Sequence, residues 1–151
     1  FGMSANAHAS YQTMLGLETL ALRLPRIVNS VEFLAKELTK QGVKVNHPCL
    51  ETHPHHQRYL TDFKYGCGTL LTIDMGTKEK AYHFLNATKI ATITANIGDS
   101  RTLALHMAST IYSDFDDETK KFLGITEGLL RISIGLENPE DILEDFLNAA
   151  K

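Results

Sequence analysis

The sequence predicts a sheet covered by helices, an α/β or α+β layer. Three observations carry this. Helix-period and strand-like segments alternate along the chain, so each sheet-forming stretch is followed by something able to cover it. A long amphipathic stretch opens the chain and a second closes it. The 151 residues are 43% hydrophobic and 22% charged, ordinary values for one domain with its own core.

The elements follow in order. Residues 4–41 read as helix, because Leu15, Leu22, Val31, Leu34 and Leu38 recur at the spacings of a buried face. Pro25 is expected to kink or divide it, since it lacks an N–H and crowds the preceding turn. Gly42 is a natural stop, and Val43–Val45 makes a short strand. "HPCLETHPHHQ" reads as a loop leading into a helix over residues 53–63, with Pro54 suited to the first helical turn. "GCG" at Gly66–Gly68 breaks the chain before a strand at Thr69–Asp74. A helix follows at Lys78–Thr88, with Ala81, Phe84 and Leu85 on one side. Ile90–Thr94 is β-rich and is stopped by "NIGDS"; Leu103–Ala108 fits either class. Asp116–Leu123 is a short helix running from acidic to basic, as its dipole favours. Leu129–Ile134 is the clearest strand, and an amphipathic helix at Pro139–Ala150, capped by Asn138, closes the chain.

Composition excludes several classes of partner. A net charge of −3 gives no electrostatic basis for nucleic-acid binding. No apolar run reaches the roughly 20 residues that span a bilayer. No basic and then apolar leader opens the chain, and neither Cys49 nor Cys67 belongs to a CxxC pair, so a reducing cytoplasm is expected. The chain opens on Phe1, and its first helix starts almost at once. A piece of a longer polypeptide is expected.

Four candidate sites follow from residue type. His47, His53, His55 and His56 form a histidine-rich stretch, but no thiol or carboxylate completes a ligand spacing; a polar loop-to-helix junction is expected, with no metal. Lys89, in "ATKI", could be a Schiff-base lysine only in a dry or cationic pocket; a helix-end lysine on the C-terminal dipole accounts for it better. "ANIGDSRTL", Ala95–Leu103, follows a strand and is rich in turn formers, so it is either a plain turn or a ligand-contacting loop. Its single glycine excludes a phosphate or dinucleotide loop. Arg131 interrupts the apolar run of the last strand. Alternation places Leu130, Ile132 and Ile134 on one face and Leu129, Arg131 and Ser133 on the other. That second face is either wetted or the floor of a cleft, where a guanidinium can grip a carboxylate with two parallel hydrogen bonds.

Three stretches resemble the C-terminal domain of the cystathionine and methionine-metabolism family of pyridoxal-phosphate enzymes. "YQTMLGLETLALRL" at Tyr11–Leu24 is similar to a helical stretch of that family, "HPCLETHPHH" to its loop before the next helix, and "LGITEGLLRISIGLENPEDILEDF" at Leu123–Phe146 to its C-terminal signature. The resemblance covers nearly the whole chain. It implies an α/β, α+β-like small domain with a mainly antiparallel sheet, from a fold-type I pyridoxal-phosphate enzyme. Residues 1–151 would be one C-terminal substrate-binding domain of a longer chain.

The resemblance also implies roles. Arg131, in "RISIGLE", stands where the family binds the substrate α-carboxylate. Asn96 stands beside cofactor and substrate in a loop of the Asn-x-Gly-Asp form typical of sulfhydrylases. Ala95 stands where some lyases and synthases carry an acidic specificity residue, and an apolar residue there suits an O-acylated homoserine. "ATKIATITAN" lacks the Gly-His that follows the family's cofactor lysine, so Lys89 is a decoy; no catalytic residue is expected within this chain, and the lysine is expected upstream. Ile111 and Tyr112, in "MASTIYS", replace a threonine and a histidine of the family pattern. The implied activity is O-acetylhomoserine sulfhydrylase, giving homocysteine from sulfide, with a γ-lyase or cystathionine γ-synthase as the alternative. A free-standing amino-acid-binding module is the non-enzymatic alternative. The implied cofactor is pyridoxal phosphate, the partner an amino-acid substrate, and the assembly a cytoplasmic homotetramer.

Overall fold

The computed structural model describes residues 2–151. In chain order its elements are α1 (Ala7–Glu18), α2 (Leu20–Lys40), β1 (Val45–Asn46), α3 (His56–Asp62), β2 (Leu70–Asp74), α4 (Lys78–Ala87), β3 (Thr92–Ile93), β4 (Leu103–His106), α5 (Asp117–Phe122), β5 (Leu129–Ser133) and α6 (Pro139–Ala149). The strands form one five-stranded sheet in the order β1-β2-β5-β4-β3. Every pairing is antiparallel except β3 with β4. The mainly antiparallel sheet covered by helices is therefore present.

One face of the sheet builds the core. Leu71, Ile73, Ala104, Leu130 and Ile132 project from it and are buried against Val31, Leu34 and Leu38 of α2, Phe84 of α4, and Ile142 and Phe146 of α6. The Phe84 and Phe146 rings meet edge to face, centroids 5.2 Å apart, a preferred aromatic geometry. Helix ends are fixed by local side chains, Asn138 as the sequence suggests and Asp116, read there as the first helical residue, in addition. Asn138 Oδ1 accepts the Glu140 N–H at 2.9 Å, and Asp116 Oδ1 accepts the Thr119 N–H at 2.7 Å. Each satisfies one donor that has no partner within the helix.

Several expectations are corrected. The long first helix breaks at Thr19, not at Pro25, which lies inside α2. Pro25 is the sixth residue of α2, so the N–H it lacks is one that would have bonded the Ala21 carbonyl, and the helix nonetheless continues through it. Leu15 and Leu22 are 52% and 75% exposed, so the buried stripe begins only at Ile27. Spacing identifies an apolar face but not whether this chain supplies its cover. The third helix starts at His56, with Pro54 in the preceding turn, and the first strand lies at Val45–Asn46. Leu103–His106, open between classes in the sequence, is a strand buried on both faces. A strand covered on both sides shows no alternation to read.

Among the described residues no helix is long and apolar enough to cross a membrane.

Candidate functional site

The second face of the sheet carries the polar residues. Arg131 sits at the centre of β5, opposite Thr72 on one side and Leu105 on the other. Directly opposed residues point the same way, so Arg131 rises from a floor made partly of the buried Leu105. The guanidinium is half-buried, and among the described residues no ion pair includes it. Its Nε is, among the described residues, a buried polar side-chain atom without a hydrogen-bond partner. Its Nη2 donates to the Asn96 backbone carbonyl at 3.2 Å. A cation withdrawn from water without a carboxylate beside it is costly, and an anionic ligand would relieve that cost.

The loop that meets Arg131 has a topological cause. β3 runs parallel to β4, pairing Thr92 with Leu103 and Ile93 with Ala104. The chain leaving β3 must therefore return to the start of β4 before it can pair. It does so without a helix, through residues 94–102, passing over the second face. Asn96 comes beside Arg131, and the Gly98 N–H donates to Ser133 Oγ at 3.3 Å. Ser133 is buried beneath this loop, so the face holding Arg131 and Ser133 is not plainly wetted. The loop is braced internally: Asp99 Oδ1 accepts the Arg101 N–H at 3.0 Å, and that bond, foremost, holds the Asp99 carboxyl below the usual carboxylate range.

The end of β5 receives the far end of this loop. The Leu136 N–H donates to the Ser100 carbonyl at 2.8 Å. Glu137 accepts from the Thr102 N–H at 2.7 Å and from the Thr102 hydroxyl at 2.9 Å. A Cβ on Gly135 would lie 2.4 Å from the Arg101 carbonyl carbon and 2.5 Å from the Ser100 oxygen, so only glycine allows this approach. Each polar or small residue of "RISIGLE" thus has a partner in the loop. Sequence reasoning singled out Arg131 alone. Ser133, Gly135 and Glu137 were visible as parts of the signature, while Thr102 gave no signal.

The predicted site residues are brought together unequally. Arg131 and Asn96 meet. Ala95 adjoins them in sequence and is exposed. The Asn96 side chain is exposed as well and makes no hydrogen bond among the described residues, so its amide is free for a ligand. Lys89 lies two residues beyond α4, exposed, with its backbone N–H donating to Asp145 at 3.0 Å. Its neighbourhood is thus a turn anchored to α6, and its side chain stands in no enclosed site. Ile111 is exposed, and the Tyr112 ring packs against Phe115 with centroids 5.3 Å apart.

The histidines serve the loop around Cys49. Buried His47 accepts the Cys49 N–H on Nδ1 at 3.2 Å, which leaves Nε2 to carry the proton toward Cys67 Sγ at 3.4 Å. Burial lowers the His47 pKa and raises both thiols, Cys49 to about 11. The trio is therefore uncharged near neutrality and ill suited to nucleophilic chemistry. His56 Nδ1 is 2.9 Å from the Pro48 carbonyl, while the His53 and His55 rings lie 5.6 Å apart.

The donor set fits a carboxylate, and the Asn96 amide beside it is exposed and free. Residues 1–151 match the family described as Cys/Met metabolism PLP-dependent enzyme. The chain is 37% identical to O-acetyl-L-homoserine sulfhydrylase 1 of Thermus thermophilus, over 98% of this chain and 36% of that protein. It is 35% identical to the L-methionine gamma-lyase of Fusobacterium nucleatum, over 91% of this chain and 35% of that one. A solved Campylobacter jejuni structure, described as an O-acetylhomoserine (thiol)-lyase with N′-pyridoxyl-lysine-5′-monophosphate, superposes with a TM-score of 0.92 at 32% identity, covering 99% of this chain and 36% of that one. The sequence thus spans about a third of the length of these relatives.

Proposed function

Starting from the fact that this chain belongs to the Cys/Met metabolism PLP-dependent enzyme family, we propose that it is the substrate-carboxylate-binding part of an O-acetylhomoserine sulfhydrylase. One observation carries the reading: a half-buried guanidinium without an ion-pair partner among the described residues, held by the backbone of the loop beside it. In the reaction proposed, the Cγ–O bond of O-acetylhomoserine breaks, a Cγ–S bond to sulfide forms, acetate leaves and homocysteine results. Residues 1–151 act in this as one C-terminal domain of a longer chain, in a cytoplasmic homotetramer.

The residues act by position. Arg131 binds the α-carboxylate with its remaining donors, and the fork geometry fixes the carboxylate plane and thus the direction of the bonds at Cα. The Asn96 carbonyl orients that fork, while its side-chain amide faces substrate and cofactor. Ala95 adds no charge near the γ-substituent, which suits a neutral ester over a distal ammonium. The pyridoxal group, when bound, supplies the electron sink that makes the bonds at Cα labile. Its lysine and phosphate contacts are assigned to chain beyond this stretch.

A second reading within the family is γ-elimination from methionine or cystathionine. A methionine gamma-lyase is 35% identical, and Ile111 and Tyr112 depart from the threonine and histidine of the family pattern, so this reading stands beside the first. Assay of the full-length protein separates the two. Homocysteine formed from O-acetylhomoserine and sulfide supports the sulfhydrylase. Ammonia and a 2-oxo acid from methionine, with no homocysteine from the ester, overturn it in favour of the lyase.

A further inference from the structure

We propose that Glu137 is a positioning residue for Arg131, acting through the loop at residues 94–102; this rests on the carboxylate-binding reading of Arg131. The observation is a graded series of contacts. Loop and strand run alongside each other, Asn96 bonded to Arg131, Gly98 to Ser133, Ser100 to Leu136 and Thr102 to Glu137. The last of these is the strongest, because a carboxylate accepts two donors from one residue. Thr102 is fully buried, and its Oγ1 accepts the Gly135 N–H at 3.0 Å while donating its proton to Glu137. The hydroxyl is thus used as donor and as acceptor at once.

The consequence for the site follows from what Glu137 satisfies. Without it, the Thr102 N–H and hydroxyl proton are buried with no acceptor, and the least costly response is for the loop to lift toward water. The lifted loop is the one that supplies the Asn96 carbonyl to Arg131 Nη2. The guanidinium then loses its orienting contact, although among the described residues no hydrogen bond or ion pair joins it to Glu137. Glutamine keeps one acceptor oxygen, so it preserves part of the clamp.

The test uses the full-length holoenzyme with E137A, E137Q, T102V and R131A. Two readouts are taken: hydrogen exchange at the Gly98 and Thr102 amides, and the affinity for L-norvaline against L-norvaline amide followed through cofactor absorbance. Expected for E137A is faster exchange at both amides and about ten-fold weaker binding of the acid, the loss of one charged hydrogen bond. The amide should bind about as before, kcat should change far less than KM, and E137Q should fall between. The R131A/E137A double variant should bind the acid no worse than R131A alone, since both act through one guanidinium. If R131A loses its preference for acid over amide while E137A keeps it, or if the two losses add, the positioning role is overturned and the carboxylate reading stands. If R131A keeps the preference, the carboxylate reading fails and takes this role with it. Should E137A not fold, E137Q and T102V yield the same comparisons.

Discussion

Arg131 Nη2 is held by the backbone carbonyl of Asn96, at 3.2 Å, and not by the Asn96 side chain. The guanidinium therefore answers to the path of the loop more than to the identity of the residue in it.

The first prediction concerns Arg131. In the full-length enzyme R131A raises KM for an amino-acid substrate about a hundred-fold, the worth of a charged, forked contact. R131K keeps the charge but not the fork, and recovers only part. Steady-state kinetics decide it; an unchanged KM and kcat in R131A would remove the residue from the site.

The second separates side chain from backbone at Asn96. N96A keeps the carbonyl, so carboxylate affinity stays within about three-fold of wild type, the size of a lost exposed hydrogen bond. The cofactor absorbance band shifts, because the free amide lies at the rim. Loss of acid binding as large as in R131A would contradict this division.

The third concerns Gly135. In G135A the new methyl meets the Arg101 carbonyl carbon at 2.4 Å, and the loop has to move. Overpacking against backbone costs about 2 kcal/mol or more. A thermal melt should show a lower midpoint, together with weaker substrate binding. A G135A protein that melts and binds as wild type would show that the close approach is not needed.

The fourth concerns acid stability. Asp145, on α6, accepts hydrogen bonds from the Thr88 hydroxyl and from the Lys89 and Ile90 N–H groups. Burial works against its ionisation, but those bonds outweigh it and hold the carboxyl below its ordinary value of 3.8. A depressed folded pKa means that the stabilisation is fully present above the unfolded value and is lost as pH falls through the folded one. Melting temperatures taken from about pH 6 to about pH 2 should fall steeply for wild type below about pH 4 and less steeply for D145N, which starts lower. Parallel curves would mean that Asp145 contributes nothing to the acid limb.

What the sequence disclosed divides along physical lines. The β5 strand and the α6 helix were legible because their apolar periods are clean and their caps are local. Arg131 was legible as an anomaly, a cation inside a strand. The break at Thr19 was not, since no residue there is a strong helix breaker, whereas Pro25 is one and yet lies inside a continuous helix. Leu15 and Leu22 were misplaced because periodicity reports a face and not its cover. The contacts of Thr102 with Glu137 and of Gly98 with Ser133 join residues 35 apart and depend on the loop crossing the sheet. No local pattern encodes them.

The parallel pairing of β3 and β4 sets a limit on how this protein can change. A connection that must return along a strand and touch four fixed points of its neighbour has little freedom in length. One residue more or fewer between Ile93 and Leu103 would shift Asn96 or Thr102 out of register with Arg131 or Glu137. Within this architecture, exchanges of exposed side chains such as Ala95 and Ile97 leave the register intact, and insertions or deletions there are the changes least tolerated.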